Sequence, residues 1–348
     1  MTVATADLLR RLPKTELHCH LDGCVRPSTL LELAAEYDKP MPADDAEQLA
    51  RYMLVDDAEN LEDYLERFSV TLSVMQTSEA LERIAYELAE DAAREGVRYL
   101  ETRYAPVLNV RGGLSLEESV EAPLRGLARA HQEYGIVGRV IVCAIRNMAP
   151  EVSLELAKLA VAFKHRGVVG FDLAGGEAGN PGRRHKDAFD YAREHDLPCT
   201  CHAGEGDGPD SVREAVHGLC ACRIGHGTRL IEDESLTQYI ADRQITVECC
   251  ITSNVQTRAA ASLDAHPLRA FFDRGLNVAL STDNRLMSGV TLVDEYQKAA
   301  RHLGFTFEEL CTIARNGFRS AFLHEEERRT LLATVDRDIA ALMAEVTK

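Results

Sequence analysis

The sequence predicts an α/β fold of the (β/α)8, or TIM-barrel, class. Three observations carry this: eight short β-branched or apolar runs, a helix-period segment after most of them, and no linker or internal repeat to divide the chain. The strand candidates are residues 15–20, 97–104, 137–144, 168–173, 198–202, 223–226, 245–250 and 277–282. Helical windows fall at 79–94, 116–134, 152–165, 187–195, 212–217, 234–242 and 267–274. Alternating strands and helices give a parallel sheet, and a closed parallel barrel carries its reactive residues at the carboxyl ends of the strands.

Two stretches depart from the alternation. Residues 28–75 separate the first strand from the second by far more than one helix, so a helical insertion over the barrel mouth is expected. Within it Leu61, Tyr64, Leu65 and Phe68 fall at i, i+3, i+4 and i+7, an apolar face that either lines a pocket or packs on the barrel. Residues 306–348 are polar and helix-forming, as terminal helices closing the barrel exterior would be. The 348 residues are therefore expected to form one domain.

Composition narrows the function. Lys plus Arg number 39 against 56 Asp plus Glu, a formal charge of −17 that repels phosphate backbones and anionic lipid. Neither nucleic-acid polymers nor membrane surfaces are expected partners. A hydrophobic share of 45% with 27% charged residues is that of a soluble globular protein. The first residues carry no basic start followed by an apolar stretch, and no window approaches the ~20 apolar residues of a spanning helix. None of the ten cysteines forms a Cys-x-x-Cys pair, and Cys143, Cys201, Cys249 and Cys250 sit in apolar runs. A cytoplasmic protein with reduced cysteines is the expectation.

The first strand reads Glu16-Leu17-His18-Cys19-His20-Leu21-Asp22-Gly23, and strict alternation puts Glu16, His18 and His20 on one face. A lone His-x-His is weak evidence for a metal. The weight comes from other strand ends: His202, His226 and Asp283 close three further runs, and strand ends of a closed barrel converge on one mouth. His18, His20, His202 and Asp283 supply three nitrogens and a carboxylate, a donor set suited to catalytic zinc. Zinc there would lower the pKa of water towards ~7 and provide hydroxide without a Ser or Cys nucleophile.

Glu205, three residues past His202, is either a proton donor facing the pocket or an acid at the start of the next helix. His226 is either a base or electrostatic partner for that hydroxide, or a buried structural histidine. The glycine-rich loops 174–179 and 204–208 follow strands, yet both carry acids and neither has a phosphate-binding spacing. Close backbone approach to an uncharged ligand suits them better.

Together these motifs resemble the adenosine deaminase family of metal-dependent hydrolases. The likeness runs in order through Glu16-Leu17-His18-Cys19-His20-Leu21-Asp22-Gly23, Arg83-Ile84-Ala85-Tyr86-Glu87, Arg103-Tyr104-Ala105-Pro106, Phe171-Asp172-Leu173-Ala174-Gly175, His202-Ala203-Gly204-Glu205, Arg223-Ile224-Gly225-His226-Gly227, Glu248-Cys249-Cys250-Ile251-Thr252-Ser253-Asn254 and Ser281-Thr282-Asp283. The resemblance implies one Zn2+ held by His18, His20, His202 and Asp283. It further implies that Glu205 protonates purine N1, that His226 assists the hydroxide attacking C6, and that ammonia leaves. Gly175 takes the place of the backbone donor to purine N3, and Asp22 that of the carboxylate on the ribose 5′-hydroxyl. A carboxylate at Asp22 accepts a hydroxyl proton but repels a 5′-phosphate, favouring a nucleoside.

One position departs from the family pattern. Where many members have two successive aspartates, this chain has Asp283-Asn284. The second aspartate must be protonated to donate to purine N7, whereas Asn284 carries a permanent amide donor. The expected reaction is deamination of adenosine and 2′-deoxyadenosine. A related aminopurine, such as 6-amino-6-deoxyfutalosine or adenine, is the alternative within the class, and a silent purine-binding protein the alternative outside it.

Overall fold

Eight parallel strands form the centre of the molecule: β1 (Lys14–His20), β2 (Val97–Tyr104), β3 (Val137–Ile145), β4 (Val168–Ala174), β5 (Thr200–Ala203), β6 (Arg223–His226), β7 (Thr246–Cys249) and β8 (Val278–Leu280). The structure, a computed structural model, describes residues 4–346, with residues 62 and 63 described by backbone only. β1 to β4 pair in order, as do β5 to β8, all in parallel. Two bridges join the halves: Phe171 with Cys199 between β4 and β5, and Cys19 with Asp283 at the seam between β8 and β1. At that seam the His20 N–H donates to the Asp283 carbonyl at 2.8 Å and the Asp283 N–H to the His18 carbonyl at 2.9 Å. The sheet thus closes, and three residues expected at one site, His18, His20 and Asp283, are stitched together by their own backbones.

The strands match the expected runs to within a residue or two at most ends. The shortest, β8, consists of Val278, Ala279 and Leu280, all buried. Helices Ser78–Arg94 and Leu116–Tyr134 start at capping residues Thr77 and Ser115, whose side chains accept from the backbone three residues on. Helices Ile251–Gln256, Arg285–Ser288 and Leu292–Leu303 were not expected. The first two are too short for a periodic signal, and the third starts at the Thr291–Asp294 capping box.

Strict alternation fails at one point in β1. Its pairing with β2 shifts register between Glu16 and Cys19, a bulge that turns Glu16 away from the histidines. The Glu16 carboxylate instead accepts from the Thr282 N–H and hydroxyl, each at 3.1 Å, and the same hydroxyl lies 3.6 Å from Cys19 Sγ.

Residues 28–75 hold the helices Pro27–Glu36, Ala46–Met53, Leu61–Leu65 and Phe68–Val74. They are tied to the loops after β7 and β8: Val55 N–H donates to the Met287 carbonyl at 2.9 Å, Gln256 Nε2 to Asp56 at 2.9 Å, and Tyr64 bonds Ser288 at 2.9 Å. The expected helix through Leu61, Tyr64, Leu65 and Phe68 breaks after Leu65, yet all four side chains line one cavity over the carboxyl ends of the strands. At the other end of the chain, helices Phe307–Ser320 and Glu325–Val346 pack against each other, the first also against β1 and β8.

Candidate active site

The cavity measures about 380 Å3, the size of a small-molecule site. His20, Asp22, Gly175, His202, Glu205, His226, Asp283 and Asn284 all line it, and His18 is fully buried beside them. Every residue expected to hold the metal, act in catalysis or bind the substrate is brought to one place.

The histidines sit in a tight ring. His20 Nε2 lies 3.1 Å from His202 Nε2 and 3.3 Å from Asp283 Oδ1, and His18 Nε2 lies 3.4 Å from the same oxygen. His18, His202, His226 and Asp283 each offer a donor atom within 4.8 Å of the others. Tetrahedral zinc with bonds of ~2.0–2.1 Å separates its ligand nitrogens by roughly 3.3 Å, close to the observed spacing. His18 Nε2 is buried and makes no hydrogen bond within the protein, as a nitrogen reserved for a metal would. The donor set therefore fits zinc.

Carboxylates orient two of these rings. His18 Nδ1 contacts Glu248 Oε2 at 2.9 Å and His202 Nδ1 contacts Asp172 Oδ2 at 3.0 Å, an outer arrangement typical of metal-bound imidazole. Arg103 bridges the two acids at 3.0 Å to Asp172 and 2.9 Å to Glu248, while Arg223 Nε contacts Glu248 at 2.6 Å and the guanidinium also pairs with Glu101. All of these groups are buried, so each charge is matched by an opposite one inside the barrel. Arg103, Asp172, Arg223 and Glu248 all lie in the motifs that carry the family resemblance, but the sequence alone does not show this task. Charges of both signs within the central strands of a parallel barrel were the available signal.

Burial sets the protonation states. It is the largest cause holding His20, His202 and His226 below the usual imidazole range, so these rings are neutral and those of His20 and His202 can offer a lone pair for ligation. Burial and Arg103 also press His18 down, but its contacts with Asp283 and Glu248 prevail and raise it. Asp172 and Asp283 stay well below the usual carboxylate range: burial opposes ionisation, and the neighbouring histidines, with Arg103 beside Asp172, outweigh it. Burial pushes Asp22 up to about 7.

The backbone is strained where these side chains leave the strands. His226 has φ 64° and Asp283 φ 62°, a left-handed conformation uncommon away from glycine. Gly225 shows the crowding: a Cβ there would lie 2.9 Å from His18 Cε1 and 3.3 Å from the His202 Cα. Only hydrogen fits between the His18 ring and the His202 backbone.

Glu205 lies on the loop after β5, buried, with Oε2 3.4 Å from His226 Nε2. It is not an acid on the following helix, Pro209–Arg213, but part of the cavity wall. Glu177, from the glycine-rich loop after β4, holds it there. The Glu177 carboxylate accepts from the N–H groups of Gly204 at 2.7 Å, Glu205 at 3.0 Å and Gly206 at 2.7 Å, and from the Ser211 hydroxyl. Those amides are thereby occupied and unavailable to a phosphate. Gly175, at φ 91°, exposes backbone to the cavity instead. Glu177 gave no sequence signal beyond an acid among glycines.

Residues 13–338 match the family model for adenosine deaminase. The chain belongs to the adenosine deaminase family. It is 40% identical to the adenosine deaminase of Mycobacterium sp. (strain JLS), covering 99% of each chain. It is 42% identical to a probable adenosine deaminase of Dictyostelium discoideum over 92% of this chain but 42% of that longer protein. Among solved structures, it resembles the adenine deaminase of Arthrobacter aurescens with a TM-score of 0.88 at 29% identity, covering 94% and 99% of the two chains. It also resembles a zinc-bound amidohydrolase of Burkholderia ambifaria with a TM-score of 0.89 at 26% identity, covering 100% and 96%. The family is one of hydrolytic deaminases, and the (β/α)8 barrel is the fold of these neighbours.

Proposed function

We propose that the protein hydrolyses adenosine, and 2′-deoxyadenosine, to the inosine nucleoside and ammonia. His18, His20, His202 and Asp283 would hold one zinc ion. When bound, zinc lowers the pKa of a water molecule towards ~7 and so makes hydroxide available at neutral pH. The observation that carries the reading is the placement of Glu205 and His226 3.4 Å apart on the cavity wall beside those four donors. A proton donor and a partner for the nucleophile then flank the same purine edge.

The chain's residues divide the work. Asp22 receives the 5′-hydroxyl, the Gly175 backbone donates to purine N3, and the Asn284 amide donates to N7. Glu205 delivers a proton to N1 as oxygen bonds to C6, which leaves C6 tetrahedral. The new C6 hydroxyl gives up its proton, the amine takes it, and collapse to the C6 carbonyl breaks the C6–N bond and releases ammonia. Leu61, Tyr64 and Phe68 give the cavity an apolar wall that limits its contact with water, which strengthens these polar contacts. Glu205→Gln tests the assignment: zinc content is retained and turnover falls by ~10²-fold or more.

Asn284 favours a second reading within the class, an aminopurine other than adenosine, since the amide changes the N7 contact and the loop that follows it. Parallel ultraviolet assays of adenosine, 2′-deoxyadenosine, adenine and 6-amino-6-deoxyfutalosine at matched concentration decide. Negligible turnover of adenosine beside rapid turnover of another compound discards the adenosine assignment. All ten cysteines are free, Cys19 and Cys24 among them with sulfurs 3.3 Å apart, which suits the reducing cytoplasm. Among the described residues no helix is long and apolar enough to cross a membrane.

A further inference from the structure

Behind His226 lies a chain of hydrogen bonds with a single polarity. The Leu268 N–H, opening helix Leu268–Asp273, donates to His266 Nδ1 at 3.2 Å. His266 Nε2 stands 3.0 Å from Asn254 Oδ1, and Asn254 Nδ2 stands 2.9 Å from His226 Nδ1. His266, Asn254 and His226 are 3%, 0% and 1% exposed, so water does not interrupt the sequence.

The direction of each bond follows from the first. A backbone N–H can only donate, so His266 Nδ1 accepts. Burial holds His266 down to about 3, so its ring is neutral and its one proton lies on Nε2. That proton points at Asn254 and requires the amide oxygen there, which fixes an amide that would otherwise be free to turn over. The Asn254 N–H then faces His226 Nδ1, which must accept. His18 and His202 are wired the opposite way, their Nδ1 atoms set against carboxylates.

We propose that Asn254 and His266 are positioning residues that lock His226 in the Nε2–H tautomer, so that His226 meets the reacting oxygen as a hydrogen-bond donor. The lock also separates His226 from the metal ligands. Its Nε2 lone pair is covered by a proton, whereas those of His18 and His202 are open. If the amide turned over, its oxygen would draw the His226 proton to Nδ1 and free Nε2 to compete for the metal.

The inference rests on the deaminase reading for what His226 does, but the tautomer is read without turnover. The experiment uses zinc-loaded protein labelled with 15N in histidine and long-range 1H–15N correlation, the two rings being assigned from His226→Gln and His266→Gln. Both rings are expected to show protonated Nε2 and unprotonated Nδ1. In His266→Phe the His226 ring shifts towards Nδ1–H and kcat falls by ~10-fold or more with KM within about twofold, since a wrongly set tautomer can remove up to ~10⁴-fold from a histidine-assisted reaction. In His266→Gln, whose amide can still donate to Asn254, most of kcat returns. A His226 ring protonated at Nδ1 in the wild-type protein overturns the proposal, whatever the variants do. So does a folded His266→Phe protein with unchanged tautomer and kcat. If adenosine is not turned over while both rings carry Nε2–H, the substrate reading fails and the lock stands.

Discussion

Replacing Glu177 with alanine should disable the loop that carries Glu205 without touching the metal donors. Three buried or half-buried backbone N–H groups, from Gly204, Glu205 and Gly206, end on this one carboxylate at 2.7–3.0 Å, with the Ser211 hydroxyl as a fourth donor. A buried donor left without an acceptor costs ~1–3 kcal/mol. Three of them would total roughly 3–9 kcal/mol, and water entering the space left by the side chain brings the expectation to the low end, about 3 kcal/mol. The loop then relaxes, and a catalytic group displaced by about 1 Å loses ~10²-fold in rate. Glu177→Gln should fall between, because an amide oxygen can keep the Glu205 and Gly206 contacts while its NH2 group opposes the Gly204 N–H. The measurements are the denaturation midpoint, kcat with adenosine, and zinc per chain. The expected pattern is lower stability, kcat down by ~10²-fold and zinc unchanged. A Glu177→Ala protein with wild-type stability and kcat would refute the reasoning.

Three further outcomes are expected. Gly225→Ala places a methyl group 2.9 Å from the His18 ring and should lower zinc occupancy at a given free zinc concentration, measured by metal analysis after dialysis; full occupancy would show that the ring can yield. Lys14 is buried and its pKa is lowered to about 7, chiefly by burial, against ~10.4 in an unfolded chain. The penalty is full below pH 7 and lifts as pH rises towards 10.4, since the folded protein loses the proton first. Wild-type unfolding free energy should therefore rise relative to that of Lys14→Met between pH 7.5 and 9.5, in urea titrations at both pH values; parallel pH dependence of the two proteins would contradict the shift. Asn284→Asp replaces a permanent donor with one that must be protonated, so kcat/KM for adenosine should decline at high pH in the variant more than in the wild type, and identical pH profiles would remove Asn284 from the N7 contact.

The barrel was legible because its strands are short apolar runs with regular helical spacers, and because His20, His202, His226 and Asp283 stand at or just past strand ends. Closure explains why residues hundreds of positions apart meet: His18 and Asp283 share a backbone hydrogen bond across the seam. Hidden from the sequence were contacts that depend on register and loop path. The bulge after Glu16 reverses the face of one residue and leaves no compositional trace. Glu177 and Asn254 act on the site through groups 27 and 28 positions away in the chain, at Gly204 and His226, along paths that only the folded loops define. Arg103 and Glu248, in contrast, sit at fully buried positions of central strands, where a charge needs an opposite partner. They could have been recognised as one buried network.

One zinc ion held by His18, His20, His202 and Asp283 is the core of the proposed chemistry, and the most direct test is turnover as a function of zinc added back to metal-stripped protein. Adenosine deamination should be nearly absent in the stripped protein and rise in proportion to zinc, levelling off at one ion per chain. Full turnover in protein freed of metal, or a rise that continues well past one equivalent, would contradict it.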